Sequence, residues 1–427
     1  MTEHQHPARD ERLFVLVESN TTGSGRSFCS AARQLGLRPV VLVADPARYR
    51  YLAEDAVDFV QTDTADLRAL RRAVAELPGG VSGITSSSEY YVGSASELAR
   101  ELGLPHPDPD AIRACRDKAI QRELMQAASV PGPRFAKANT PDQAAAAAER
   151  LGFPVVVKPI SGSGSVGVRL CGNLPELRSA VLGLLDATPD QLAIPKQSAV
   201  LVEQYLAGPE YSVETFDRQL VGITAKQLGP EPHFVETGHD FPASLPAEQA
   251  RAVGAVTLRA LTALGLGWGP AHVELRLTRD GPCLVEVNPR LAGGMIPTLV
   301  RQATGIDLIA CTIGRAAGRP INLRPDRARF ASIRFLLGAT AGRLSGSADP
   351  TAAAACPGVV AAELLGRPGE RFTPRHSFHD RLGYVIGTGD DAVAAASAAT
   401  AGVTRLGLTV EPVTAGGQLI VEGAGIR

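Results

Sequence analysis

Two acidic residues lie inside strand patterns that are otherwise apolar. Residues 272–288 read HVELRLTRDGPCLVEVN, with Glu274 in the first pattern and Glu286 in the second. Asp-Gly between two strand patterns is typical of a β-hairpin. A three-residue loop at 279–281, with the glycine in the left-handed conformation, predicts that Glu274 lies directly opposite Glu286.

Two carboxylates that face each other need a cation. Their repulsion is about 1 kcal/mol at 4 Å in water and about 4 kcal/mol at an effective dielectric of 20. Mg²⁺ prefers carboxylate and amide oxygens, with water and phosphates completing its shell. Glu286 would bridge two ions, Glu274 and Asn288 would each complete one, and Arg290 would hold a developing oxyanion. The competing interpretation is a solvent-facing hairpin whose acids are screened by Arg276 and Arg290.

Lysine is scarce in this chain. Arginine supplies 38 of the 43 basic residues, and lysine occurs only at positions 118, 137, 158, 196 and 226. The lysine ammonium is a compact point charge that suits phosphates. Lys118, Lys158 and Lys226 lie in or beside the segments described next, so we expect them to contact a polyphosphate.

A glycine-serine turn follows an apolar strand in VVVKPISGSGSVGV, residues 155–168. Its backbone N–H groups, those of Ser163 and Gly164 included, would cover phosphates. The turn is not a Walker loop, because GxxxxGK[ST] is absent and the turn leads into another strand. We expect a flexible flap, and a surface hairpin linker is the alternative.

A second candidate nucleotide segment is VLVEQYLAGPEYSVE, residues 200–214. Glu203 and the backbone of Tyr205 or Leu206 would bind an adenine edge, and Glu210 would accept hydrogen bonds from ribose hydroxyls. Acids at strand ends are usually only solvated, so this segment needs the others for support.

The order of elements predicts how these residues are positioned. Over the first hundred residues apolar strands alternate with amphipathic helices, which indicates a parallel sheet covered by helices. A helical pattern covers 111–128, strands dominate from residue 200, and an alternating α+β pattern closes the chain. We therefore predict four domains: 1–110, N-terminal parallel α/β; 111–198, a small subdomain with the glycine-serine turn; 199–327, central antiparallel sheet with the metal site; 328–427, C-terminal α+β.

Composition excludes several classes of protein. The 427 residues carry 43 basic and 44 acidic side chains, a formal charge of −1, which argues against nucleic acid or an anionic membrane as partner. No apolar run reaches the ~18 residues of a membrane span, so we expect a cytoplasmic protein. The six cysteines form no CxxC pair, which argues against zinc and disulfides. Small-molecule partners are favoured, and a homodimer is compatible with the sequence.

Together these segments resemble the ATP-grasp superfamily of carboxylate-amine ligases, over roughly residues 10–425 and in the family's domain order. The resemblance implies an ATP-grasp fold, α/β and α+β, in which 111–198 is the small ATP lid. It also implies that the protein uses ATP and two Mg²⁺ ions, for which Mn²⁺ can substitute. It implies that Lys118 and Lys158 contact the α- and β-phosphates and that Lys226 contacts the triphosphate. It assigns Glu203 to the adenine amino group and Glu210 to the ribose.

The resemblance also implies a reaction. The γ-phosphoryl group of ATP passes to a carboxylate, and an amine then attacks the acyl phosphate to give an amide, ADP and phosphate. Glu274, Glu286 and Asn288 would bind the metal ions, and Arg290 would steady the acyl phosphate and the tetrahedral intermediate. Such chemistry depends on positioning and charge neutralisation more than on a protein nucleophile.

Within the superfamily, FVETGHDFPA (234–243) and VEVNPRLAGGMIP (285–297) look most like bacterial L-amino-acid (dipeptide) ligases. In that group the loop matching Glu236 and His239 lies at the substrate end. There Glu236 would pair with an ammonium, and His239 with a carboxylate or the acyl phosphate; an exposed loop is the alternative. Gly294 is a further candidate substrate contact.

Polar residues also follow an apparent strand in the first domain, at Ser86, Ser87 and Glu89. Ligands of open α/β sheets gather at such strand ends, so these residues would line the amine-side pocket. A helix cap is the alternative role.

Other classes of protein fit the sequence less well than a ligase that joins an amino acid to an amine or a second amino acid. A dinucleotide-binding oxidoreductase fits Gly23-x-Gly25, but position 28, where close packing requires a small residue, is Phe. An ATP-grasp carboxylase or a purine-pathway-like synthetase would have the same ATP and metal site but would use a different acceptor. A catalytically silent regulatory protein would not need this set of acids and lysines.

Overall fold

The computed structural model describes residues 12–20, 24–162, 164–188 and 196–412. The chain forms two compact units. Unit 1 comprises Met1–Ala136, Leu206–Thr224 and Ala243–Ala328, and unit 2 comprises Lys137–Tyr205, Ala225–Pro242 and Arg329–Arg427. The division into four domains stays a prediction.

The strands within the described residues are, in chain order, β1 Leu13–Val17, β2 Arg38–Val43, β3 Asp58–Gln61, β4 Val81–Thr85, β5 Phe135–Ala138, β6 Val155–Pro159, β7 Arg169–Cys171, β8 Val200–Gln204, β9 Glu210–Phe216, β10 Gln219–Leu228, β11 Glu236–Phe241, β12 Pro270–Thr278, β13 Gly281–Asn288, β14 Phe330–Leu337, β15 Gly342–Gly346, β16 Val359–Leu364, β17 Arg371–Phe372, β18 Arg381–Gly389 and β19 Leu408–Glu411.

The α-helices of the same residues are α1 Ser24–Gln34, α2 Arg50–Glu54, α3 Leu67–Ala75, α4 Val92–Glu101, α5 Pro109–Arg116, α6 Lys118–Ala127, α7 Pro141–Leu151, α8 Leu174–Asp186, α9 Ala247–Ala263, α10 Ile296–Thr304, α11 Leu308–Ala316, α12 Pro350–Ala354 and α13 Ala392–Val403. None of them is both long enough and apolar enough to cross a membrane.

Unit 1 begins with the predicted parallel sheet, in the order β3-β2-β1-β4. Every residue of β1, sequence LFVLV, is buried, as expected for a strand covered on both faces. Phe28 of α1 packs into the same core. A bulky core side chain therefore occupies the position where a dinucleotide-binding turn requires a small residue.

The helical pattern predicted over 111–128 is two helices, α5 and α6. Asp117 separates them in an extended conformation, and its side chain accepts hydrogen bonds from the backbone N–H groups of Ala119 and Ile120. An aspartate in this role caps a new helix instead of continuing the previous one. Lys118 consequently becomes the first residue of α6.

Unit 1 also contains the antiparallel strands β9, β12 and β13, with β12 in the middle. The predicted three-residue hairpin loop is wrong, because Thr278 pairs with Gly281 and only two residues connect the strands. The register then shifts at a bulge between Glu274 and Leu275, which restores the predicted pairing of Glu274 with Glu286.

Unit 2 contains the antiparallel strands β8-β6-β7, of which β6 precedes the glycine-serine turn and β7 follows it, as predicted. It also contains a sheet in which β14 and β18 are central and β11 and β16 lie outside them, and the small sheet β17-β15-β19. The predicted loop around Glu236 and His239 is strand β11.

Candidate active site

The middle strand β12 presents a row of polar side chains, each with a partner on a neighbouring strand. Paired residues of adjacent strands point to the same face of a sheet. The pairs are Glu274 with Glu286 and with Ser212, His272 with Asn288 and with Glu214, and Arg276 with Glu210. The face is largely buried, so the interpretation as a solvent-facing hairpin is wrong.

Each of the two facing acids has a cationic or hydrogen-bonding neighbour. Lys118 Nζ lies 3.0 Å from Glu286 Oε1. Nε2 of His272 lies 3.0 Å from Glu274 Oε1. The ammonium of Lys118 therefore reaches one of the predicted metal ligands, and a histidine that sequence reasoning missed contacts the other.

Helix α6 is fastened to strand β13, which fixes Lys118 against Glu286. Gln121 donates to the carbonyl of Val287 over 2.8 Å and accepts from its N–H over 2.9 Å, as a neighbouring strand would. Arg122 also donates to the carbonyl of Val285. These bonds cover the free edge of β13, whose backbone groups would otherwise lack partners.

His272 is held between two carboxylates. Its Nδ1 lies 2.9 Å from Glu214 Oε1, and Ser212 Oγ donates to the same oxygen over 2.9 Å. Burial by itself lowers the pKa of His272, but attraction to Glu214 and hydrogen bonds to Glu214 and Glu274 outweigh it and raise the pKa to about 9. His272 precedes Glu274 by two residues, and side chains alternate faces along a strand, so the sequence already placed both on one face. This spacing was the signal that could have identified His272.

Arg290 pairs with Glu89, from the end of the parallel sheet. Its Nε donates to Glu89 Oε2 over 2.9 Å, and its Nη2 donates to the same oxygen. Nη1 of Arg116 lies 3.3 Å from Glu89 Oε1. Burial raises the pKa of Glu89, but attraction to Arg290, Arg116 and Lys118 outweighs it and lowers the pKa. Glu89 therefore stays ionised and orients two guanidinium groups.

The helix-cap alternative for Ser86 and Ser87 is wrong. Helix α4 begins at Val92, and its cap residue makes no side-chain cap bond. Ser86 Oγ instead accepts from the backbone N–H of Ser88 over 2.9 Å, and Ser87 Oγ accepts from the N–H of Asn20 over 3.2 Å. The serines thus organise the turn that leads to Glu89.

Gly294, the other candidate substrate contact in unit 1, has φ 58° and lies just before α10. The next residue, Met295, is also left-handed, at φ 63°. Glycine adopts this conformation without strain, whereas most residues do not. The pair turns the chain that follows Arg290 into the helix.

The predicted ribose ligand Glu210 pairs with Arg276. The Nε of Arg276 donates to Glu210 Oε2 over 3.1 Å, and its Nη1 donates to the carbonyl of Leu206 over 2.9 Å. One buried guanidinium therefore holds both the carboxylate and the backbone of the segment that the sequence assigns to a nucleoside. The assignment of Arg276 as a screen for the hairpin acids is wrong.

The donor set on β12 and β13 fits Mg²⁺. Glu274 and Glu286 supply carboxylates and Asn288 an amide oxygen on one face, and all are hard oxygen donors. Within the part of the chain that the structure describes, no group of three or more His, Cys, Asp or Glu side chains forms a metal cage. A partial protein shell suits Mg²⁺, which commonly keeps water and substrate phosphates as ligands.

In unit 2, Lys158 at the end of β6 pairs with Glu203 of β8, with Nζ 2.8 Å from Oε2. Both side chains are almost fully buried. Two residues after Glu203, the Tyr205 hydroxyl donates to Glu231 over 2.6 Å, and the Tyr205 ring stacks on Phe234. The glutamate assigned to adenine therefore holds the lysine assigned to phosphate.

The glycine-serine turn has a left-handed backbone at Gly164, with φ 66°. A Cβ added at Gly164 would lie 2.3 Å from the ring of Phe378. Glycine is therefore required there both by the backbone and by the neighbouring ring. The other predicted turn residue, Ser163, lies outside the described residues.

Glu236 contacts two cations and lies close to a histidine. Lys226 Nζ lies 2.8 Å from its Oε1, Arg381 Nη2 lies 2.6 Å from its Oε2, and His239 Nε2 lies 3.6 Å from Oε2. Burial raises the pKa of Glu236, but attraction to Lys226, His239 and Arg381 outweighs it and lowers the pKa to well below its usual value. Sequence reasoning missed Arg381, because it lies 145 residues from Glu236.

Two family models match the chain. A model described as an ATP-grasp domain covers residues 151–298, and one described as L-amino acid ligase C-terminal domain 2 covers residues 334–411. An uncharacterized protein of Sinorhizobium fredii, y4rH, is 40% identical over 377 residues, which is 88% of this chain and 78% of that protein.

Further similar proteins extend the comparison. Carnosine synthase 1 of Gallus gallus is 30% identical over 323 residues, 70% of this chain, although the match spans only 34% of that longer enzyme. The crystal structure of an L-amino acid ligase from Bacillus licheniformis superposes with a TM-score of 0.78 at 22% identity, covering 95% of this chain and 100% of the other.

The chain therefore belongs to the ATP-grasp superfamily of carboxylate-amine ligases. It has the ATP-grasp fold of an L-amino acid ligase and carries the C-terminal domain found in those ligases, as its motifs predict. It is thus an ATP-grasp ligase.

Proposed function

We propose that this ligase condenses an amino acid or a related carboxylate with an amine, most simply a second amino acid, through an acyl phosphate. ATP supplies the phosphoryl group, and ADP and phosphate are released. The observation that carries the proposal is the facing pair of partly buried acids, Glu274 and Glu286, whose side chains are 20% and 17% exposed, with the buried Asn288 on the same face of the sheet. A sheet tolerates two opposed carboxylates when cations reside between them.

The metal ligands of the proposal are Glu274, Glu286 and Asn288. Mg²⁺ bound there would neutralise the phosphate oxygens during phosphoryl transfer, and Mn²⁺ would substitute for it. Lys118 holds Glu286 in place from α6. Arg290, oriented by Glu89, would steady the negative charge of the acyl phosphate and of the tetrahedral intermediate.

The nucleotide contacts of the proposal are Lys118, Lys158 and Lys226 for the phosphates, Glu203 and the backbone of Tyr205 and Leu206 for adenine, and Glu210 for ribose. Support comes from the pairing of each lysine with a carboxylate: Glu286, Glu203 and Glu236, respectively. Such pairs hold the ammonium groups in fixed positions. The amide and carboxylate oxygens accept hydrogen bonds from the nucleoside.

The substrate contacts of the proposal are Glu89, Glu236, His239 and Gly294. His239 lies directly opposite Lys226 in the β10–β11 pairing, so it would approach a carboxylate or an acyl phosphate. Glu236 would accept a substrate ammonium in addition to its cationic neighbours. The names of two similar proteins, carnosine synthase and L-amino acid ligase, support amino acids as substrates.

The test is a phosphate-release screen over paired amino acids and amines with ATP and Mg²⁺. We expect release that requires both a carboxylate and an amine, and a mass-spectrometric product equal to their sum less water. Glu286→Gln should abolish ADP formation with an unchanged circular dichroism spectrum. The exposed Glu248→Gln serves as the matched control and should retain activity.

Three results would contradict the proposal. Normal turnover by Glu286→Gln would remove the metal site from the mechanism. ADP formation that depends on bicarbonate would favour the ATP-grasp carboxylase or purine-synthetase alternative. Bound NAD without ADP formation would favour an oxidoreductase.

A further inference from the structure

A chain of hydrogen bonds runs across strands β9 and β12 and ends on a proposed metal ligand. It passes from Ser212 to Glu214, from Glu214 to His272, and from His272 to Glu274 Oε1. Glu214 contacts the ring nitrogen Nδ1 through both oxygens, at 2.9 and 3.2 Å. The first three side chains are buried, with 0%, 2% and 4% exposure.

We propose that Glu214 and His272 are positioning residues that set the orientation of the Glu274 carboxylate for metal binding. This inference rests on the proposed function. Glu214 contacts Nδ1 of His272 through both oxygens, and Nε2 lies 3.0 Å from Glu274 Oε1, so both ring nitrogens have partners and the ring plane is fixed by Glu214. The fixed ring then holds Oε1 of Glu274 at a defined place.

The arrangement is difficult to explain as a stabilising device alone. A buried ion pair is often no more stabilising than apolar residues of the same volume, and removal of one partner is costly. The neighbouring residues of the same two strands, Val213 and Val273, are fully buried apolar side chains that stabilise the other face. The buried polar chain is therefore better explained by the orientation of Glu274, the proposed metal ligand at its end.

A glutamate side chain has three rotatable bonds, so a single carboxylate on a strand samples several positions when it has no support. Groups that orient a metal ligand typically change metal affinity by about 10- to 100-fold when they are replaced. We therefore expect the loss of Glu214 to weaken metal binding without removing any ligand atom.

The experiment measures Mn²⁺ binding to the full chain with ADP, by electron paramagnetic resonance, and ADP binding without metal, by calorimetry. Glu214→Gln should raise the Mn²⁺ dissociation constant about 10- to 100-fold, with ADP affinity in the absence of metal unchanged. His272→Gln should weaken Mn²⁺ binding by a similar factor.

The matched control is Glu18→Gln. Glu18 is also a buried carboxylate of unit 1 that accepts hydrogen bonds from hydroxyl groups, those of Tyr49 and Thr64, but it lies at the end of β1. Glu18→Gln should lower thermal stability and leave the Mn²⁺ dissociation constant unchanged. If Glu214→Gln does not fold, Ser212→Ala removes one hydrogen bond from Glu214 and gives the same measurement with a smaller expected shift.

Two outcomes separate this inference from the proposed function. Wild-type protein that binds no Mn²⁺ in the presence of ADP would overturn the proposed function together with this inference. Wild-type protein that binds Mn²⁺, with Glu214→Gln and His272→Gln binding it equally well, would overturn the positioning role alone.

Discussion

Replacing Glu236 by glutamine leaves two buried cations without the carboxylate that joins them. Lys226 and Arg381 contact opposite oxygens of Glu236, at 2.8 and 2.6 Å. The side chain of Lys226 is 3% exposed and that of Arg381 is 11% exposed, so water can replace little of the lost interaction. We expect Glu236→Gln to destabilise unit 2.

The magnitude follows from these distances. At 2.8 Å and an effective dielectric of 20, one ion pair contributes about 6 kcal/mol of attraction, most of which offsets the desolvation of the charges. Removing one partner of a buried pair typically costs about 3–5 kcal/mol. Because Glu236 keeps 22% of its surface in water, we expect a loss of about 3 kcal/mol, near the lower end.

The effect depends on pH in a defined direction. The pKa of Glu236 is well below its usual value in the folded protein, whereas an unfolded glutamate has a pKa of about 4.3. A lowered carboxyl pKa stabilises the fold above the unfolded pKa, and this stabilisation is lost as pH falls through the folded pKa. The difference between wild type and Glu236→Gln should be full at pH 6–8 and should shrink below about pH 4.3.

Urea denaturation followed by circular dichroism measures the loss at each pH. The double variant Lys226→Met/Glu236→Gln should recover part of it, because one unpaired cation is gone. Glu231→Gln, an exposed change in unit 2, should alter the free energy of unfolding by less than about 0.5 kcal/mol. A loss below about 1 kcal/mol for Glu236→Gln at pH 7, or one that does not diminish in acid, would refute the reasoning.

Two further predictions concern unit 1. Arg276→Met removes the hydrogen bonds to Glu210 and to the carbonyl of Leu206, so the KM for ATP should rise by about tenfold or more in steady-state kinetics. An unchanged KM would show that this segment does not bind the nucleotide. Burial raises the pKa of the Cys115 thiol to about 12, so iodoacetamide at pH 7.5 should modify Cys115 only when urea unfolds the protein. Mass spectrometry detects the modification, and rapid labelling of Cys115 in the folded protein would contradict its burial.

Local patterns in the sequence were sufficient for much of the fold. Apolar runs bounded by turn residues predicted β1 and β12, and Asp-Gly predicted the hairpin, because side-chain alternation and turn chemistry act over a few residues. The pairing of Glu274 with Glu286 was correct although the loop length was wrong, since a bulge compensates for the shorter loop. The prediction therefore succeeded through two errors of register that cancel.

The sequence by itself determined the superfamily, the parallel and antiparallel sheets, and which acids and lysines are candidates for ATP and metal. Only the tertiary structure decided their partners: Arg290 bonds a glutamate 201 residues away, and Glu236 bonds Arg381 across 145 residues. It also made the predicted loop at Glu236 a strand and gave His272 its two carboxylates. Such contacts depend on how distant segments pack, and the periodicity of a single segment contains no information about the charges that packing brings beside it.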